Sequence, residues 1–130
     1  CDKEALGIIH DTFLKGIKWM VMGSNDTADR VNFTPTLIPT WNDKIVYGVN
    51  TIGSPTTVAY LRSCDVLWDN RLIWLMDCKF YHDMYQKHGL PYVEGRLLVS
   101  NYRHPDQVTN QLSESRKQGE VHLMKQEFPR

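Results

Sequence analysis

Cys64-Asp65-Val66-Leu67-Trp68-Asp69-Asn70-Arg71-Leu72-Ile73-Trp74-Leu75-Met76-Asp77-Cys78-Lys79 is the stretch on which the fold turns: a carboxylate, a polar turn, an apolar run, then Asp-x-Lys. Two strands are predicted in it, at 65–68 and 72–77. Successive side chains of a strand point to opposite faces, so Asp77 and Lys79, two residues apart, emerge together. Whether Asp65 joins them depends on the turn. A two-residue turn at Asp69-Asn70 sets Asp65 opposite Trp74 and turns it to the other face. A three-residue loop over 70–72, or a bulge, sets it opposite Asp77. With that alignment two carboxylates and an ammonium converge at the end of an apolar hairpin.

Outward from the hairpin, residues 3–15 carry apolar positions Leu6, Ile9, Phe13 and Leu14 near helical spacing, with Gly16 as a stop. A strand is predicted at 17–22, followed by a turn at Gly23-Ser24-Asn25-Asp26. Pro35 and Pro39 make 34–41 a loop or an edge. Residues 44–51 read as a β-branched strand closed by Gly53-Ser54-Pro55, and 56–61 as either a strand or a short helix. On the C-terminal side, 81–88 reads as a helix ended at Gly89-Leu90-Pro91, and 96–102 as a strand. A last helix is predicted at 107–117, with Gly119 as its stop and 120–130 as a short element or frayed tail.

The fold class expected from this order is α/β, or α+β, with a central mixed β-sheet flanked by helices. With 130 residues and 42% hydrophobic content, the chain can bury one core and is read as a single domain, 1–130. It starts at Cys1, as an excised domain of a larger protein or a processed product would. Fifteen basic residues balance fifteen acidic ones, so no global field draws in a polyanion, and any such site must be a local patch. Three cysteines, Cys1, Cys64 and Cys78, form no framework spacing. The expected setting is therefore a reducing, intracellular one, cytoplasmic or nuclear rather than secreted. No apolar run reaches the roughly 18 to 20 residues of a membrane span, so no membrane partner is expected. The triplets Asn25-Asp26-Thr27 and Asn32-Phe33-Thr34 are read as chance glycosylation matches.

The order of elements and the Asp65, hairpin, Asp77-x-Lys79 constellation resemble the PD-(D/E)xK nuclease superfamily. That group includes restriction endonucleases, junction resolvases and viral cap-snatching endonucleases. The likeness runs over 3–117, with Cys64 standing where the family often has Pro. It implies a restriction-endonuclease-like fold and a metal-dependent nuclease that hydrolyses DNA or RNA. Asp65 and Asp77 would hold Mg²⁺ or Mn²⁺ with the Cys78 carbonyl, and Glu4 or His10 on the first helix would add to the metal shell. Lys79 would act on the attacking water. Arg71 and Lys87 are the candidates for flanking phosphates. The chemistry is consistent on its own account: water attacking a phosphodiester brings one anion toward another, and a hard cation held by carboxylates relieves this.

Other patterns are weaker. His104-Pro105-Asp106 matches the tripeptide of J-domain cochaperones, but Pro105 and Asp106 also suit the first turn of a helix. Cys64, Cys78, His82 and His88 fit none of the usual zinc spacings. Phe80, Tyr81, Tyr85, Tyr92 and Tyr102 could stack bases, and equally pack a helix on a sheet. No Gly-x-Ser-x-Gly elbow or Gly-rich phosphate loop occurs. The alternative to a nuclease is a non-catalytic interaction domain of a larger, viral or multidomain, protein.

Overall fold

Trp19-Met20-Val21-Met22 is apolar at every position, and all four side chains are buried. A strand in this state needs cover on both faces. Trp19 and Val21 enter one apolar cluster with Ile45, Leu75, Phe80, Tyr81, Met84 and Met124. Met20 and Met22 enter another with Ala5, Leu98 and Val99, against which Ile8, Ile9 and Phe13 pack. The strand thus separates two cores, and the first helix lies on the face opposite the later ones.

The computed structural model describes residues 3–129. Among them the elements are α1 (Ala5–Leu14), β1 (Trp19–Thr27), β2 (Val58–Tyr60), α2 (Met76–His88), β3 (Tyr92–Tyr102), α3 (Val108–Gln111) and α4 (Glu114–Glu127). The sheet is mixed, in the order β2-β1-β3, with β2 antiparallel and β3 parallel to β1. The expected mixed sheet flanked by helices is present. Cys1 lies outside the described residues, while Cys64 and Cys78 are free and buried. No helix among the described residues is long and apolar enough to cross a membrane.

The hairpin is not formed. Residues 65–68 are irregular, and the run Leu72-Ile73-Trp74-Leu75 leads into α2, which already contains Asp77 and Lys79. The reason lies in the spacing of what is buried: Leu72, Leu75, Cys78, Tyr81 and Met84 lie in the core, whereas Ile73 is exposed. A repeat of three matches a helical face and its approach, not an alternating strand. The turn itself is closed by Asp69, whose side chain accepts the Arg71 N–H and whose carbonyl accepts that of Leu72.

Two further expectations change. Residues 44–51 form no strand; a 3₁₀ turn at Ile45–Tyr47 ends in Gly48 at φ 98°. Asn42 and Asn50 capture nearby backbone N–H groups that a ladder would need. At the C-terminal end, Gly119 does not stop a helix. A single turn, α3, ends by Leu112, and Ser113 caps a fresh start by accepting the Arg116 N–H. α4 then runs through Gly119.

β1 extends past the predicted turn into Gly23–Thr27 because β3 continues beside it. The register breaks on both sides of Gly23, where β3 carries extra residues at Gly95-Arg96 and at Leu98. A Cβ on Gly23 would lie 2.6 Å from the Arg96 carbonyl oxygen. We expect Gly23→Ala to destabilise the protein by about 1–3 kcal/mol, read as a lower urea midpoint. An unchanged midpoint would mean that β3 yields freely there.

Candidate functional site

The Gly89 carbonyl at the C-terminal end of α2 accepts the Trp19 indole N–H at the start of β1, and Asp77 at the other end of the helix shares a cleft with Asp26 and Asn101, near the carboxyl ends of β1 and β3. This edge of an open parallel pair is where ligands bind in α/β folds. It carries a cleft of about 700 Å³ lined by Asp26, Asn50, Ser54, Asp77, Asn101 and Arg103, among others.

Asp77 stands in the first turn of α2 and is partly buried. Its Oδ1 accepts the Cys78 N–H at 2.8 Å, and its Oδ2 faces Asn50 Nδ2 at 3.4 Å. Burial raises its pKa above the ordinary aspartate range, against the lowering effect of the Cys78 N–H. Asn50 also accepts the N–H groups of Ile52 and Gly53 and donates to the Gly53 carbonyl, so one amide shapes the loop and meets the carboxyl. Across the cleft, Ser54 Oγ and Thr56 Oγ1 donate to Asn101 Oδ1 at 3.1 and 2.9 Å. Asn25 accepts the Ser100 hydroxyl at 2.6 Å. Arg103 is paired with Asp26.

The start of α2 is held from a distance. Glu120 of α4, 4% exposed, accepts the backbone N–H groups of Ile73, Trp74 and Leu75 at 2.8–2.9 Å, and Arg116 Nε at 3.0 Å. Burial opposes its ionisation, but these four donors outweigh burial and leave its pKa below the ordinary glutamate value. The N–H groups that a hairpin strand would have paired are thus taken by a carboxylate.

Of the residues expected in the site, only Asp77 lines this cleft. Lys79 is two residues on, about 200° around a helix, and its ammonium is paired with Asp83 at 2.5 Å. Asp65 has a left-handed backbone at φ 53° and an exposed carboxylate. Its carbonyl accepts Lys87 Nζ at 3.0 Å, which ties it to the far end of α2. Ten residues of helix, about 15 Å, separate Lys87 from Asp77. The Cys78 thiol is buried and its pKa is raised, chiefly by that burial. Arg71 is committed to Asp69 and Glu127. Glu4 precedes α1, on the other face of the sheet, and acts electrostatically on Arg96. His10 is an exposed residue of α1 beside Asp11. Asp65, Asp77, Lys79, Cys78, Glu4 and His10 therefore do not form one constellation. Among the described residues no three His, Cys, Asp or Glu side chains are grouped to hold a metal ion.

Asn50, Asn101, Ser54, Asp26 and Arg103 belong to no motif in the sequence; for Asp26 the one signal is the polar ending of an apolar strand, Met22-Gly23-Ser24-Asn25-Asp26, which reads equally well as a turn. Comparison of the chain with protein-family models, with curated proteins and with solved structures gave no match in any of the three.

The two carboxyls differ in sign. Glu120, depressed in the folded state, stabilises above the unfolded value of about 4.3. That contribution is lost as pH falls through the lowered folded value. Glu120→Ala strands three N–H groups and is expected to cost roughly 2–4 kcal/mol at neutral pH. Asp77, raised in the folded state, lowers stability as pH climbs from about 3.9 through its folded pKa. Asp77→Asn is therefore expected to unfold at a higher midpoint than wild type at pH 7, the difference vanishing in acid. Urea unfolding across pH checks both, and a less stable Asp77→Asn at neutral pH would contradict the assignment.

Proposed function

We propose that the chain binds a polyhydroxylated ligand of the sugar class in this cleft, with the ionised Asp77 carboxylate accepting a hydrogen bond from one of its hydroxyls. The observation that carries this is a partly buried carboxyl of raised pKa set among neutral amides and hydroxyls. A sugar hydroxyl both donates and accepts, and here the Asn101 side-chain N–H groups can donate to it while the Ser54 and Thr56 hydroxyl oxygens, which give their protons to Asn101 Oδ1, can accept from it. The one cation among the lining residues, Arg103, is already paired with Asp26. That supports an uncharged ligand surface over a polyanion, whose affinity rests on free cations.

The test is an NMR titration with glucose, galactose, mannose and N-acetylglucosamine at pH values from about 4 to 7. At least one sugar is expected to shift the amides of Asn50, Ser54 and Asn101. Its affinity should rise several-fold with pH in wild type, as Asp77 ionises, and stay flat in Asp77→Asn. Asn101→Ala should weaken it about tenfold, the loss of one or two hydrogen bonds. Absence of any shift at these amides would refute the reading.

A metal-dependent nuclease of restriction-endonuclease-like fold, intracellular and acting on DNA or RNA, is the second reading. What favours it is that Asp26 lines the same cleft as Asp77, so that Asp26 would take the place first given to Asp65. Cleavage of a labelled DNA or RNA strand in millimolar Mn²⁺, lost in Asp77→Asn, would carry that reading instead.

A further inference from the structure

Next to the cleft, and sharing Asp26 and Arg103 with it, lies a shallower cavity of about 320 Å³ whose walls include Thr27, Ala28, Phe33 and Thr34. The two differ in chemistry: one is bordered mainly by amides, hydroxyls and carboxyls, while the other adds to the shared Asp26 and Arg103, and to Asn32, the methyl groups of Thr27, Ala28 and Thr34 and the Phe33 ring. Phe33 is half exposed, and Val31, Leu37 and Ile38 of the same strap are also exposed.

An exposed apolar side chain on a floppy loop means little, but this loop is built. Asp29 accepts the N–H groups of Val31 and Asn32, the Asn32 side-chain amide and the Thr27 hydroxyl. Those bonds, the Asn32 N–H foremost, hold its carboxyl well below the usual range. Thr34 pins the next turn to the sheet: its N–H donates to the Asp26 carbonyl, and its Oγ1 accepts the Asp26 N–H, each at 2.9 Å. Leu37 then pairs with Ser24 through both backbone groups. Phe33 is thereby presented on a fixed frame instead of folding onto the core. A preformed apolar wall that continues a polar cleft suits a ligand with both characters.

We infer that this cavity is a second subsite, which takes an aromatic or alkyl substituent carried by the polyhydroxylated ligand. The inference rests on the proposed reading of the cleft. The Asp26–Arg103 pair forms the sill between the two parts, so a substituent attached to a sugar in the cleft reaches Phe33 without leaving the protein surface.

Methyl and phenyl glycosides of the same four sugars distinguish the possibilities, with affinities taken from NMR titration of wild type, Phe33→Ser and Asp29→Ala. For the sugar that the cleft recognises, the phenyl glycoside is expected to bind about tenfold tighter than the methyl glycoside, as partial burial of a ring allows. Phe33→Ser should erase that advantage and leave the methyl glycoside unchanged, and Asp29→Ala, which loosens the frame, should reduce it. Equal affinities of the two glycosides in wild type would overturn the subsite while the cleft reading stands, as would a phenyl advantage that survives Phe33→Ser. If neither glycoside of any sugar binds, the cleft reading falls and the subsite with it.

Discussion

The carboxylate of Glu120 against the N–H groups of Ile73, Trp74 and Leu75 is the constraint on which the molecule's arrangement depends. A helix N-terminus has backbone donors without partners, and here a side chain more than forty residues later supplies them. The bond sets where α2 begins. Because Asp77 is the second residue of that helix, it also sets where this carboxyl of raised pKa sits. The Leu75 and Ile73 N–H groups, with Arg116, favour the charged form of Glu120, and Met124, one turn further along α4, is fully buried in the same core. Packing and electrostatics thus act through one helix on another.

This arrangement explains a division of labour between two acidic residues. Glu120 is surrounded by donors and serves the fold, whereas Asp77 has little beyond one N–H and a distant amide to offset its burial. An under-compensated carboxyl of this kind lowers the stability of the fold once it ionises. The Asn50 amide connects this carboxyl to the Gly53 loop, and Tyr81, one turn along α2, donates its hydroxyl to the Gly53 carbonyl. The loop and the helix therefore hold each other at the cleft.

Much of the fold was legible in the sequence, and the site was far less so. The helix near 5–14, the strand from Trp19, the Gly89 stop and the strand through Tyr102 follow from periodicity and turn chemistry. Leu72–Met76 reads as a strand because a short apolar run has no period of its own. Its helical spacing is visible only when Cys78, Tyr81 and Met84 are counted with it. The partner that takes its N–H groups, Glu120, is remote in sequence and in a segment that reads as a tail. Asp77 stands out in the sequence for its neighbour Lys79, which pairs with Asp83 instead. The residues that line the cleft with Asp77 come from separate stretches, at Asp26, at Asn50, Ser54 and Thr56, and at Asn101 and Arg103, and no local pattern brings Asn50 to Asn101.

The parallel pairing of β1 with β3 joins residues more than seventy apart, from Met20–Tyr92 to Thr27–Tyr102. Loop closure over such a span has to be met before any contact rewards it, which places chains of this kind among the slower-folding small domains. Until β3 arrives, Trp19 to Met22 is an apolar strand with an open edge, a template for pairing with another copy. Folding yield is thus expected to be more sensitive to protein concentration than folded-state stability is. The polar ends of β1 and β3, which line the cleft, also interrupt that sticky strand with residues that water solvates well.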